Sequence, residues 1–249
     1  SGVWAAKGSA TEFAEGEWIS TLSRALRVEN HIAAQETILD RNDAEGRIGL
    51  YFDEWGAWYD ATPGASALYQ QNTLRDAFVA ALHLHVFQRH AARVRMANIA
   101  QSVNVLQAMV LTQGDALVLT PTYHVFKMYV PFQDATSLPV SYDEMPEYVL
   151  GQYRVPSLSA TAARGTDGKL YASVANLNPR EAAEISLSVE GAPLKRASAQ
   201  VLTADAMNSR NTFAAPGAVQ PKPFGGIVVR SDTLTFTLPA KAIVMIAID

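Results

Sequence analysis

Asp53-Glu54-Trp55, with Trp58 close behind, places two neighbouring carboxylates beside two indole rings. Aromatic faces pack on the C–H groups of a pyranose or furanose, and an ionised carboxylate can attack an oxocarbenium-like centre, so this grouping suits sugar chemistry. Adjacent side chains on a strand point to opposite faces, so at most one of Asp53 and Glu54 faces a site built there. The competing reading is a structural acid paired with an arginine at a sheet rim. Further along, Asn98-Ile99-Ala100-Gln101 and Asn104 supply neutral amides that could bond sugar hydroxyls or simply satisfy loop backbone. His83, His85 and His90 share one amphipathic stretch without a carboxylate-rich partner motif, and they read as helix surface or packing residues, not metal ligands. His124 beside Tyr123 reads as a pocket border or as a hydrogen-bonded structural histidine. No Gly-rich phosphate loop, Gly-x-Ser-x-Gly elbow or His-Glu-x-x-His motif is present.

The elements that must position these groups fall into two textures. Residues 1–134 alternate helix and strand, the pattern that builds a parallel sheet with helices packed outside. Ser9 to Glu12 has capping-box spacing and precedes Trp18, Leu22, Leu26 and Ile32, which predicts a first helix. After a polar turn at Asn42, Asp43 and Gly46, the run Arg47 to Phe52 reads as a buried strand that ends at Asp53-Glu54-Trp55. A loop with Pro63 and Gly64 leads to a helix capped by Thr73 with Asp76, in which Leu74, Phe78, Leu82 and Val86 recur every four residues through His90. Val94 to Ile99 reads as a second buried strand, and Pro121 marks a helix over Thr122 to Tyr129. Ligands meet such sheets at the carboxyl ends of the strands, where Glu54 and Gln101 stand.

Residues 135–249 change character: short alternating stretches at Leu170 to Ala175, Ile185 to Val189 and Thr233 to Leu238 are separated by Gly, Pro and Asn turns, as in an all-β domain. Ala242 to Ile248 is apolar on both parities and predicts a strand buried on both faces. Asn208 to Gly226 reads as a long surface loop.

Composition excludes several classes. The 249 residues are 49 % hydrophobic and carry a net charge of −4 with scattered Lys and Arg, which leaves no basic stripe for nucleic acid. No apolar run approaches the roughly 20 residues that span a bilayer. The absence of cysteine excludes disulfides and thiolate chemistry and fits a reducing compartment.

Four ordered blocks now carry a resemblance: Phe52-Asp53-Glu54-Trp55-Gly56-Ala57-Trp58-Tyr59, Thr73-Leu74-Arg75-Asp76-Ala77, Met96-Ala97-Asn98-Ile99-Ala100-Gln101 and Thr120-Pro121-Thr122-Tyr123-His124-Val125-Phe126. In this order and spacing the chain resembles the C-terminal portion of family 51 α-L-arabinofuranosidases. The resemblance implies the last two strands of a (β/α)8 TIM barrel followed by a jelly-roll type β-sandwich. It implies Glu54 as the catalytic nucleophile of a retaining glycoside hydrolase, Gln101 as a contact to the arabinose ring and Trp58 as a wall of the subsite; Trp55 and Asn98, beside them in the sequence, are the further substrate-binding candidates. It further implies no metal, no organic cofactor, a homo-oligomer and a cytoplasmic location. Many relatives have Asn at the position of Gly56, a departure at the pocket rim.

A full barrel of this type takes about 250 residues, and barely half that length precedes the sandwich here. The general acid/base of the family stands in an Asn-Glu motif that this sequence lacks. The expectation is therefore a second polypeptide segment that completes the barrel, since two parallel strands alone leave open edges and an apolar face. Two alternatives are a barrel hydrolase acting on another glycan and a non-catalytic carbohydrate-binding or assembly fragment, for which sugar binding without turnover would be the sign.

Overall fold

The computed structural model describes residues 3–4, 8–62, 64–66, 68–191 and 194–249; Pro63 of the expected loop lies outside them. The first part comprises β1 (Val3–Trp4), α1 (Glu15–Leu26), α2 (Val28–Asn42), β2 (Leu50–Gly56), α3 (Leu74–Arg89), β3 (Val94–Ile99), β4 (Val110–Gln113), β5 (Ala116–Leu119) and α4 (Pro121–Met128). β1, β2 and β3 form a parallel three-stranded sheet in that order. β4 and β5 are an antiparallel hairpin.

α1 and α2 correct the single expected helix. Ser9 Oγ accepts the N–H groups of Thr11 and Glu12 and so closes a local turn, while the helix itself begins at Glu15, where the Glu17 carboxylate accepts the Ala14 N–H. The apolar spacing is in phase with the helix, whereas its cap is Ala14 and not Ser9. A break at Arg27 then separates α1 from α2. Trp18, Ile19, Leu22 and Ala25 are fully buried on α1, and Trp18 meets Phe78 of α3 edge-on at 4.9 Å. Fully burying a side chain of this kind is worth roughly 1.5–3 kcal/mol.

α3 is the axis of the molecule, packed against α1, α4 and the sheet. Its cap is as expected: the Asp76 carboxylate accepts the Thr73 N–H at 2.7 Å. The Leu74 N–H, left over in any first helical turn, donates to the Ser209 carbonyl, far away in the sequence. At α4, Thr120 Oγ1 accepts the Tyr123 N–H and Pro121 occupies the first turn, where its missing N–H costs nothing.

The second part comprises β6 (Thr136–Leu138), β7 (Glu147–Leu150), β8 (Tyr153–Pro156), β9 (Leu158–Arg164), β10 (Leu170–Asn176), β11 (Ala183–Ser188), β12 (Ala197–Leu202), β13 (Lys222–Phe224), β14 (Val228–Arg230), β15 (Thr233–Leu238) and β16 (Ala242–Ile248). A six-stranded antiparallel sheet runs β13-β12-β16-β10-β9-β6, and a three-stranded sheet runs β11-β15-β14. β7 and β8 form a separate hairpin against α1. The fold thus mixes helix and sheet with a β-sandwich-like domain, and no closed barrel is present among the described residues.

β16 shows why its sequence is apolar on both parities. Ala242, Val244, Ile246 and Ile248 join the core between the two sheets, whereas Ile243 and Met245 join the core that contains the helices. The large sheet is therefore covered on one face by the small sheet and on the other by α3 and its neighbours. Across that second interface the Trp18 indole N–H donates to the Leu177 carbonyl at 3.0 Å.

Asn208 to Gly226 is not simply a surface loop. Lys222–Phe224 adds an edge strand, and Asn211 and Val219 are buried. Asn211 Nδ2 donates to the Leu119 and Val219 carbonyls while its Oδ1 accepts the Val219 N–H, so one amide ties this excursion to the β4–β5 hairpin.

Candidate active site

The site begins with an irregularity in β2. Phe52 pairs with Ala97 and Trp55 with Ile99, so the two residues Asp53 and Glu54 together oppose the single residue Asn98. This is a β-bulge, and it resets the alternation of side chains. Phe52 and Trp55, three apart, both pack on Phe87 of α3, at 5.0 and 5.5 Å between ring centroids. Trp55 also stacks on His83 at 4.9 Å and on Phe126 at 6.0 Å, and it is fully buried. The expectation of Trp55 as a substrate contact is thus corrected: the bulge turns its ring into the helix layer. Simple alternation from Asp53 would have sent it the other way.

The opposite face of the sheet is open. Tyr51 and Met96 stand paired there, 59 % and 44 % exposed. Asp53 and Asn98 are exposed and Glu54 is half-buried. The two strands are accordingly not buried on both faces within this chain.

Among the described residues neither the Asp53 nor the Glu54 carboxylate has a hydrogen-bond or ion-pair partner. An arginine does pair with acids on this sheet, but at its other end: Arg93, just ahead of β3, bonds Asp43 and Asp40 at 2.8 Å each. The structural-acid reading of Asp53-Glu54 thus lacks its partner.

At the carboxyl end of β3, Gln101 is exposed next to the end of β2, where the Ala100 N–H donates to the Trp55 carbonyl. Trp58, 43 % exposed, follows two residues after β2 ends. The structure therefore brings Glu54, Asn98, Gln101 and Trp58 to one edge of the sheet. Asn104 has a structural role, because its side-chain amide both donates to Thr112 Oγ1 and accepts the Thr112 N–H at 2.7 Å.

The helical histidines are packing residues. His83 bonds the Val79 carbonyl at 2.8 Å, and burial pushes its pKa down to about 4. His85 is buried against Tyr129 and Ser159, with its pKa pushed down to about 3 by burial and then by Arg89. His90 lies between Glu29 and Glu36. His124 is half-buried edge-on to Tyr123, and burial lowers its pKa. Among the described residues no group of three His, Asp or Glu side chains is placed to hold a metal, and no helix is long and apolar enough to cross a membrane.

Two residues that sequence reasoning passed over complete the picture. Gln70 and Gln107 are buried, and between them they bond both backbone groups of Ala57 and the N–H of Tyr59. Neither stands in a regular pattern, so no spacing signal could have singled them out.

Comparison with known proteins decides the family. The profile described as the α-L-arabinofuranosidase C-terminal domain matches residues 53–242, from the bulge to the last strand. The chain belongs to the α-L-arabinofuranosidase family. It is 44 % identical over 98 % of its length to an intracellular exo-α-L-arabinofuranosidase of Bacteroides ovatus, of which it covers 48 %. A crystal structure of a family 51 arabinofuranosidase from Xanthomonas axonopodis pv. citri superposes with a TM-score of 0.97 at 45 % identity, covering all of this chain and 51 % of that one. The corresponding enzyme from Thermotoga petrophila shares the fold, with a TM-score of 0.80 at 23 % identity over 98 % of this chain and 52 % of that one. The chain thus spans about half the length of these arabinofuranosidases.

Proposed function

We propose that this chain is the C-terminal part of a retaining glycoside hydrolase that releases terminal α-L-arabinofuranosyl residues from arabinoxylan and arabinan oligosaccharides. In this reading residues 1–134 are the end of a (β/α)8 barrel, residues 135–249 are the sandwich, and an upstream segment supplies the acid/base. The observation that carries it is Glu54: a carboxylate set in a bulge at the carboxyl end of a parallel strand, with no partner among the described residues to neutralise it, beside Asn98 and Gln101. The exposed sheet face that carries Tyr51 and Met96 is where the preceding barrel strands close over the site.

Glu54 attacks the anomeric carbon while the upstream acid protonates the leaving oxygen, and water then releases arabinose with configuration retained. Double displacement of this kind needs the two carboxyl groups about 5 to 5.5 Å apart. The amides of Gln101 and Asn98 bond ring hydroxyls, and Trp58 forms an apolar wall. No metal or cofactor enters. The Bacteroides relative's description as intracellular supports a cytoplasmic location, and the family resemblance supports a homo-oligomer.

The test uses the assembled enzyme, this chain together with its upstream segment, on an aryl α-L-arabinofuranoside. Glu54→Ala abolishes turnover, and added azide restores aglycone release with formation of an arabinosyl azide of inverted anomeric configuration. Turnover by Glu54→Ala without azide would remove Glu54 from the reaction.

A further inference from the structure

β2 ends at Gly56, and the last ladder bond between the two strands is the one from the Ala100 N–H to the Trp55 carbonyl. The next peptide groups, around the fully buried Ala57, lie beyond the paired positions of β2, and buried backbone groups require partners. Two side-chain amides supply them. Gln107 Oε1 accepts the Ala57 N–H at 2.8 Å. Gln70 Nε2 donates to the Ala57 carbonyl at 3.0 Å, and Gln70 Oε1 accepts the Tyr59 N–H at 2.9 Å. Trp58 is thus held by bonds to the residues on either side of it.

The grip is itself anchored. Gln107 Nε2 donates to the Asp76 carbonyl at 2.8 Å and to Thr122 Oγ1 at 3.2 Å, which refers the turn to the first turns of α3 and α4. Gly56 leaves room for it: φ is +147°, and an added Cβ would lie 3.1 Å from Gln107 Oε1 and 3.3 Å from Gln107 Cβ. Glycine at position 56 and glutamine at position 107 are therefore one device.

We propose that Gln107 and Gln70 are positioning residues that set the affinity for the arabinosyl ring by fixing the Ala57–Tyr59 backbone, and hence the placement of Trp58. The inference rests on the reading of this edge as the sugar site. It predicts an effect on binding, because the clamp acts on the wall of the site and leaves the bulge that holds Glu54 to the strand pairing.

The experiment is a mutant cycle in the assembled enzyme. Gln107→Met keeps the volume and removes all three hydrogen bonds. The expected result is a rise in KM for the aryl arabinofuranoside of about tenfold with kcat within about twofold, and a matching loss of L-arabinose affinity by calorimetry. In a Trp58→Ala background the same substitution changes KM and arabinose affinity by less than about twofold, since residues acting through one another are non-additive. A folded Gln107→Met protein with unchanged affinity, or with effects that multiply independently of Trp58→Ala, overturns the proposal. Gln70→Met, which releases the same peptide from the other side, is put through the same cycle should Gln107→Met fail to accumulate. Arabinose affinity reads the clamp without turnover, and azide chemistry at Glu54→Ala reads the hydrolase assignment separately.

Discussion

His85 Nε2 lies 2.6 Å from the Tyr129 hydroxyl, deep in the interface between the helical layer and the large sheet of the sandwich. The contact is part of a closed set. His85 Nδ1 is 2.9 Å from Ser159 Oγ, and the Tyr129 hydroxyl is 2.5 Å from Ser173 Oγ. A neutral imidazole has one donor and one acceptor nitrogen, which this ring of hydroxyls matches. Burial keeps the ring neutral.

Tyr129→Phe removes the central hydroxyl and leaves His85 Nε2 with the more distant Ser173 Oγ, at 3.1 Å. The expected cost is about 1–3 kcal/mol of unfolding free energy. Chemical denaturation of the assembled enzyme checks it; a stability equal to that of the parent would show that the network contributes specificity of packing without net stabilisation.

The same burial gives stability a pH dependence. His83 and His85 protonate only at about 4 and about 3 in the folded protein, whereas an unfolded histidine does so near 6.5. The unfolded chain then binds more protons over that interval, so stability is full above about pH 6.5 and falls as pH drops. Each histidine contributes up to about 1.4 kcal/mol per pH unit. Asp76 works the other way: burial raises its pKa to about 6, so its contribution falls as pH rises from about 4 to 6 and offsets one histidine. Melting temperatures between pH 4 and 7 should therefore rise with pH, and His85→Gln should flatten the rise. An identical slope in that variant would assign the acid sensitivity elsewhere.

Asn211→Ala deletes three hydrogen bonds that a single buried amide makes to Leu119 and Val219. Loss of about 2–4 kcal/mol is expected, with the carbonyls of both segments left unpaired. Protease sensitivity confined to residues 208–221 would accompany it; uniform resistance would indicate that the excursion is held by its apolar contacts.

Gln101→Ala should lower kcat/KM on an aryl arabinofuranoside by an amount equivalent to about 1–3 kcal/mol, as expected for a hydrogen bond to the substrate that strengthens in the transition state. Unchanged kinetics would leave Gln101 with only its backbone role, the N–H bond to the Val105 carbonyl.

Periodicity revealed what depends on regular geometry. Leu74, Phe78, Leu82 and Val86 gave α3 and its buried face, and the double-parity run of β16 gave a strand covered on both sides. It missed what depends on a departure from regularity. The bulge between Phe52 and Trp55 is invisible to any count of alternating residues, and the place of Trp55 beside Glu54 suggests a sugar contact, whereas its ring is buried in the core. The short strand Val3–Trp4 offers too few residues for a pattern. Gln70, Gln107 and Asn211 carry no signal in the sequence, because their partners are backbone groups brought near only by the fold.

The carbonyl of Ser209 receives the Leu74 N–H, so the opening turn of the central helix is finished by a residue from the opposite end of the chain. A transplant of this sandwich onto a foreign catalytic half would leave the recipient's helix with an uncapped amide and the donor's loop with nothing to hold. The two parts are separable on a diagram but inherit each other's edges, and exchange between relatives is expected to succeed only where the seam is cut upstream of α3, so that helix and sandwich travel together.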